Sequence, residues 1–168
     1  MNIPEYAVFL GIDSDGYPVL LDTRRKRGYL FIGGTDFDMI EEATKSLESL
    51  VEFVRITESD LESDCGWQKM VALGAWIQAG RAENHVLIVD SIASVERLCM
   101  THKRKFVSLF DRITILASLN DGRKSVLSVL FEENVAKTRD GSFLYQEHGD
   151  GRRFYQTEIL HRVKLVKT

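Results

Sequence analysis

Short apolar runs alternate with amphipathic stretches along the first 120 residues of this chain. Apolar runs of about four to eight residues bounded by turn residues are typical of buried strands, whereas apolar residues spaced by three and four are typical of helices. The strand pattern occurs in GYLFIGG (28–34), FVRIT (53–57), HVLIVD (85–90) and RITILASLN (112–120). Because strands and helices alternate, the pattern predicts an α/β domain with a largely parallel sheet and helices on both faces.

The helical pattern fills the intervals between these strands. A first helix would begin at Thr35 or Asp36, either of which can cap it, and its apolar stripe would reach Val54. A second helix would begin at a capping box formed by Ser59 and Glu62, whose side chains each bond the other residue's peptide N–H. A third helical stretch would run from residue 91 to about 110.

Additional β structure is predicted near both ends of the chain. VFLGIDSDGYPVLLDT (8–23) places a turn-forming set, Asp13 to Gly16, between two apolar runs, which indicates a hairpin. After residue 120 we expect a C-terminal β-hairpin and neighbouring strands, added at one edge of the sheet. The runs that predict them are SVLSVLF (125–131), GSFLYQE (141–147) and RRFYQTEIL (152–160).

Composition places the chain among ordinary globular proteins. Its 168 residues fit one domain, residues 1–168, which is either complete or part of a longer multi-domain protein. A net charge of -3 gives no overall attraction to nucleic acid or to anionic membranes. No apolar run approaches the length of a membrane helix and no signal peptide is evident, so we expect a cytoplasmic segment without direct membrane contact. Cys65 and Cys99 have no metal-ligand spacing and are expected to be buried thiols in a reducing compartment.

The segment YLFIGGTDFDMIEE (29–42) has the outline of a strand, a glycine turn and a helix, where many nucleotide-binding proteins hold phosphate. The turn contains Gly33 and Gly34, but the first lysine after it is Lys45. Four carboxylates occupy the region where the anion would lie; they belong to Asp36, Asp38, Glu41 and Glu42. At an effective dielectric of about 20, a carboxylate about 4 Å from a phosphate charge repels it by about 4 kcal/mol before screening. We therefore expect these acids to oppose triphosphate binding and to cap the helix themselves.

The chain resembles the FtsK/SpoIIIE family of RecA-like motor domains. The resemblance rests first on a leader of the form LG-x-D-x-x-G-x-P-V-x-x-D, which the chain matches at Leu10, Gly11, Asp13, Gly16, Pro18, Val19 and Asp22. The runs YLFIGGT, HVLIVD, ITILASLN and GSFLYQE follow in the family's order, so the resemblance extends from about Leu10 to Ile159. It implies a RecA-like, P-loop NTPase-like fold.

The family's phosphate loop, G-x-x-G-x-G-K-[ST], is degenerate in this chain. The register of the preceding strand puts Ile40 at the lysine position and Glu41 at the hydroxyl position that would hold magnesium. In the second motif Asp90 keeps the position of the metal-organising acid, but Ser91 replaces the glutamate that activates water. We therefore predict no ATPase activity, no catalytic residue and no bound ATP or magnesium.

A vestigial nucleotide pocket would consist of Gly33, Gly34, Thr35 and Asp90, with Asp90 serving as a helix cap. Among families with this leader, degenerate domains occur at the C-terminus of the membrane-anchored ATPase of type VII secretion systems. The resemblance implies a non-catalytic module for substrate recognition or regulation in protein export. Its partners would be substrate proteins or neighbouring ATPase domains of the same machine, with no nucleic acid.

Two other functions remain open at this point: a nucleotide-binding ATPase with an unorthodox phosphate loop, and a domain of a DNA translocase. The basic runs RRKR (24–27) and HKRK (102–105) bear on the second function, but neither carries interleaved aromatic residues, and we interpret them as solvated loops and helix ends. QEHGDGRR (146–153) is interpreted as a turn, with a docking loop as the alternative. The four histidines are scattered, so no metal site is expected.

Overall fold

The computed structural model describes residues 5–32, 45, 47–89, 92–119, 131, 133–137, 142–147 and 150–155. Nine strands form one sheet. They are β1 (Ala7–Asp13), β2 (Pro18–Asp22), β3 (Gly28–Ile32), β4 (Glu52–Ile56), β5 (His85–Val89), β6 (Thr114–Leu119), β7 (Glu133–Lys137), β8 (Phe143–Glu147) and β9 (Asp150–Tyr155). Three described α-helices accompany them. They are α1 (Glu58–Glu62), α2 (Cys65–Gln78) and α3 (Ile92–Val107).

Five strands form a parallel block in the order β7-β3-β6-β5-β4. β3 lies inside this block, with Gly28 opposite Ile115 of β6 and Tyr29 opposite Glu133 of β7. The residues of β3, β5 and β6 are nearly all buried, as the continuous apolar runs predicted. The predicted strands at 28–34, 53–57, 85–90 and 112–120 are therefore confirmed, and GYLFIGG supplies a central strand.

The other four strands continue the sheet in antiparallel pairing, in the order β2-β1-β9-β8 next to β7. The predicted N-terminal hairpin is confirmed: one carboxylate oxygen of Asp13 accepts the peptide N–H groups of Asp15 and Tyr17, and Gly16 turns the chain at a φ of +85°. The predicted C-terminal hairpin is β8 and β9. It was predicted at an edge of the sheet. Instead, β8 and β9 lie between the parallel block and the N-terminal hairpin, and β2 is the outermost strand.

The sheet curls strongly. Four strands separate β2 from β3 in the strand order, which in a flat sheet corresponds to about 24 Å. Nevertheless the hydroxyl of Tyr29 lies 3.3 Å from the peptide nitrogen of Asp22 and 3.2 Å from its carbonyl oxygen. The hydroxyl of Thr114 also donates to the carbonyl of Thr23 at 2.6 Å. The N-terminal hairpin therefore folds back over one face of the parallel block.

Two hydrophobic clusters lie on opposite faces of the parallel block. The first contains residues of the hairpin, such as Leu10 and Leu21, together with Phe31, Leu47 and Val51. The second lies under α2 and α3. Its helical members are Met70, Leu73, Leu98 and Phe106, and its strand members include Leu30, Leu87 and Ile115. The first predicted helix, from Thr35 or Asp36 onward, falls mainly on residues outside the described part of the chain.

The predicted end of that first helix, at Val54, was wrong. Leu47 is helical and buried, as expected, but residues 48–50 form a turn closed by hydrogen bonds from the Leu50 and Val51 N–H groups to the Leu47 carbonyl. Val54 lies in β4 opposite Leu87. The same apolar residues fit a period of three to four and a short strand, and pairing with β5 favours the strand.

The second predicted helix is two helices, and its cap is different from the prediction. Thr57, not Ser59, is the N-cap: its hydroxyl accepts the Asp60 N–H, and the Asp60 carboxylate accepts the Thr57 N–H. α1 ends at Glu62, and α2 runs to Gln78, where Gly80 at a φ of +69° turns the chain. Cys65, which was expected to be buried, is exposed at the first position of α2.

One strand escaped prediction. β7 has the sequence ENVAK, whose polar residues give no apolar run. The predicted α3 and the strands β8 and β9 are confirmed within the described residues, whereas the SVLSVLF run lies outside them apart from Phe131. No helix in the described ranges combines the length and the apolar character that crossing a membrane requires.

Candidate functional site

The carboxyl ends of the parallel strands define the candidate site. β3 ends at Ile32, immediately before Gly33, and β5 ends at Val89, immediately before Asp90. In the strand order β6 alone separates them, so both strand ends point to one edge of the sheet. The predicted pocket residues Gly33, Gly34, Thr35 and Asp90 themselves lie outside the described residues. Their assignment stays a prediction, as do the roles given to Ile40, Ser91 and the four acids of the turn.

The described residues at the ends of the connections after β3 and β6 lie on opposite faces of the sheet. After β3, Leu47 and Val51 belong to the first cluster, whereas Phe131, which precedes β7, belongs to the second. Adjacent parallel strands whose connections leave to opposite faces create a crevice at their carboxyl ends, where open α/β sheets bind ligands. In a sheet of this strand order such a crevice would lie between β3 and β6, and the glycine turn follows β3 directly in the sequence.

Polar contacts beside this edge hold α1 in place. The Lys69 ammonium donates to the Asp60 carboxylate and to the Arg55 carbonyl, each at 2.8 Å. The ammonium of Lys69 and the peptide N–H of Thr57 lower the pKa of Asp60, because both donate to its charged form. Arg97 of α3 donates to the Leu61 carbonyl at 3.1 Å. Lys69 thereby ties α1 and α2 to the carboxyl end of β4.

The basic run at 24–27 lies at the opposite edge, before the amino end of β3. Arg24 stacks on the Tyr6 ring at 3.6 Å. Arg27 contacts the fully buried carboxylate of Glu133 at 2.9 Å, and Arg25 approaches the same oxygen at 3.8 Å. Arg24, Arg25 and Lys26 are exposed, which confirms the predicted solvated loop, whereas Arg27 is half-buried and joins the start of β3 to β7 through Glu133.

The second basic run lies on α3, where Arg104 and Lys105 are exposed. The Lys105 ammonium lies 4.5 Å from the centre of the Trp67 ring on α2. The side chains of residues 102 and 103 are outside the described part of the structure.

A groove of about 350 Å³ lies between α2 and the end of α3. Trp67, Met70, Val71 and Leu109 supply apolar surface to it, and Gly74 lies along its wall. The sequence reading placed these residues on a helix but did not identify the groove. The sequence does carry one signal of the groove: α2 contains more apolar residues than a single buried face can hold. In the structure two of them are consequently exposed, Val71 by 50% and Trp76 by 37%.

The histidine that the structure describes in detail is His85 at the start of β5. Its Nε2 atom lies 3.1 Å from the carboxylate of Glu52, and its ring stacks against Trp76 with centres 4.9 Å apart. Within the described ranges, no three His, Cys, Asp or Glu side chains gather as a metal site would require. His148 and His161 lie outside those ranges. In the run at 146–153 only residues 148 and 149 lie outside them, and Glu147 of β8 pairs with Asp150 of β9 on either side, which confirms the predicted turn between strands.

Comparison with known proteins identifies the fold. No protein-family model matches the chain, and no curated protein sequence matches it either. Among solved structures, the cytoplasmic domain of EssC superposes with a TM-score of 0.62 at 10% identity, covering 92% of this chain and 43% of that one. The cytoplasmic domain of the Thermomonospora curvata type VII secretion ATPase EccC gives a TM-score of 0.52 at 12% identity, covering 90% of this chain and 26% of that one. The fold is thus the RecA-like fold of these domains, and the chain spans less than half the length of either.

Proposed function

We propose that this chain is a non-catalytic, ATPase-like module of a type VII protein secretion machine, where it recognises substrates or regulates the motor from the cytoplasmic side. The fold shared with the cytoplasmic domains of EssC and EccC supports the assignment to such a machine. The chemistry of the sequence after β3 supports the absence of catalysis.

One observation carries this proposal. The strand order puts the end of β3 inside the parallel block beside β6, and the sequence that follows β3 carries four acids and no lysine before Lys45. Phosphoryl transfer depends on positioning and on electrostatic stabilisation of the phosphate charge, and both need that lysine and the metal-binding hydroxyl. Ile40 and Glu41 provide neither. ATP and magnesium are therefore not cofactors, and the partners are proteins.

Isothermal titration calorimetry with Mg-ATP tests the loss of nucleotide binding. We expect no heat of binding at micromolar nucleotide from the native sequence. A variant with Ile40→Lys and Glu41→Thr restores the two missing chemical groups and provides the matched comparison. Micromolar binding by the native sequence would contradict the proposal and favour an ATPase with an unorthodox loop.

A gel-shift measurement with duplex DNA tests the translocase alternative. The proposal expects no shift at physiological salt, because the chain carries a net charge of -3 and Arg27 is paired with the buried Glu133. A shift that weakens steeply with added salt would favour a DNA translocase.

Export is tested in cells: deleting the segment that encodes this chain should reduce secretion of type VII substrates, and unchanged secretion would contradict a role in that machine.

A further inference from the structure

The groove between α2 and α3 has an apolar floor that the fold leaves open. Met70 and Leu109 are 5% exposed and belong to the core beneath, whereas Val71 on the same wall is 50% exposed. Trp67 lies at one side of the groove. A half-exposed valine beside a tryptophan, joined directly to the core, is apolar surface that a second apolar face can cover.

The rim of the groove is basic. Its lining includes Lys105 and Arg112 and no acidic residue. Neither cation makes a salt bridge within the described part of the chain, although Lys105 rests over the Trp67 ring. Arg112 also borders a second hollow that Glu83 and Asp111 line, so the positive charge is confined to the lining of the groove itself. A partner with carboxylates along one side would find complementary charge here.

Gly74 keeps the wall of the groove open. It lies in the middle of α2, where glycine is less favourable than alanine by about 0.5–1 kcal/mol. No described atom lies within 4 Å of the place that a Cβ on Gly74 would take, so that space belongs to the groove. A larger side chain at this position can therefore fill the groove from within, without displacing the core.

We propose that this groove binds an acidic amphipathic helix of a partner protein, with its apolar stripe against Met70, Val71 and Leu109 and its carboxylates against Lys105 and Arg112. Helices bind in this way through apolar residues at positions i, i+3, i+4 and i+7. The groove lies between two helices, and the two cations of its lining select the charge of the ligand. This inference rests on the proposed function as a recognition module, and it names the chemistry of what is recognised.

Fluorescence anisotropy with a labelled helical peptide of about 16 residues tests this proposal. The peptide carries leucine at the four anchor positions and glutamate along one flank, and its twin carries lysine in place of glutamate. The acidic peptide should bind at least about tenfold more tightly than the twin, with the difference shrinking as salt is added. Equal affinities, or no binding of either peptide, would overturn the proposal.

Two pairs of variants locate the binding. Gly74→Leu should weaken binding of the acidic peptide at least about tenfold, whereas Gly74→Ala, which adds one methyl group, should retain it. Lys105→Glu should weaken binding, whereas Arg104→Glu, the same charge change outside the groove lining, should not. Circular dichroism confirms that each variant is folded. Equal behaviour within either pair of folded variants would overturn the proposal.

The outcomes also separate the partner from the proposed function. Self-association of the chain that Gly74→Leu abolishes would identify a second copy as the occupant and would overturn the acidic-helix proposal. Failure of peptide binding, with Mg-ATP still not bound, would remove the groove and leave the non-catalytic assignment standing. Binding of Mg-ATP would contradict that assignment independently of the peptide result.

Discussion

At the scale of single residues, Tyr29 links two distant strands of the curled sheet. Burial, with a further contribution from the nearby charge of Glu133, raises the pKa of its hydroxyl well above the usual value near 10. Above pH 10 the unfolded chain therefore releases a proton that the folded chain retains, and the free energy of unfolding must fall as the pH rises. We expect this alkaline decline in urea titrations, and Tyr29→Phe should reduce it.

The same substitution has a second expected effect at neutral pH. Without the hydroxyl, the Asp22 peptide N–H and carbonyl lose a buried partner, at a cost of about 1–2 kcal/mol in the free energy of unfolding. Tyr17→Phe, on the exposed hairpin turn, is the control and should leave that free energy unchanged. An alkaline decline that is identical in Tyr29→Phe and in the native sequence would contradict this account.

Asp60, which lies just beyond the carboxyl end of β4, is a second residue whose shifted pKa makes stability depend on pH. Its lowered pKa means that its contribution to stability is present above the usual value of 3.8 and is lost as the pH falls below that value through the folded pKa. Asp60→Asn should therefore lower the free energy of unfolding by about 1 kcal/mol at pH 7 and flatten its dependence on pH in acid. Urea titrations from pH 2 to 7 measure both effects. Ser59→Ala, at the position that the sequence assigned to the capping box, should have a much smaller effect.

At the scale of elements, two glycines should respond in opposite ways to substitution by alanine. A Cβ at Gly28, at the start of β3, would lie 2.6 Å from the Phe110 ring and 2.8 Å from the Phe131 ring. Those rings pack edge to face against each other, with centres 5.2 Å apart, so neither can move easily. Gly28→Ala should therefore cost about 1–3 kcal/mol, whereas Gly74→Ala in α2 should add about 0.5–1 kcal/mol. Thermal melts of the two variants make this comparison, and melting temperatures that shift in the same direction would contradict it.

The elements also show what the sequence could and could not predict. Strands such as β3, β5 and β6 were predictable because they are buried on both faces and read as unbroken apolar runs. β7 was not, because it depends on distant partners: Glu133, fully buried, contacts Arg27 from before β3. A charged residue in a strand gives no local signal of such pairing.

The candidate sites differ in how far the sequence reaches. The pocket beyond β3 stays a prediction: its glycine turn and its acids are contiguous in the sequence, but they lie outside the described residues. The groove between α2 and α3 was not predictable, because Val71 and Lys105 come together only through packing. The capping box was predicted at the wrong residues. Thr57 with Asp60 and Ser59 with Glu62 both have a hydroxyl followed three residues later by an acid, and the structure shows that the first pair forms the cap.

At the scale of the whole molecule, the strand order separates two regions with different chemistry. The crevice lies at the carboxyl ends of the parallel strands, whereas the groove lies on the outer side of the helices that cover one face. The proposed loss of phosphate chemistry would leave the groove intact, because the groove lining contains none of the predicted pocket residues Gly33, Gly34, Thr35 and Asp90. The nucleotide and peptide experiments therefore report on separate parts of the protein.

The pairing of β1 with β9 also has a consequence for how the chain folds during synthesis. Ile12 and Asp13 pair with Tyr155 and Phe154, so the N-terminal hairpin joins the rest of the sheet through the last described strand. Such contacts between remote parts of a chain slow folding, because a long loop must close before they form. A ribosome that has not yet released residue 155 would hold a hairpin with one side of its pairing unfilled, so the complete sheet can form only after residue 155 has left the ribosome.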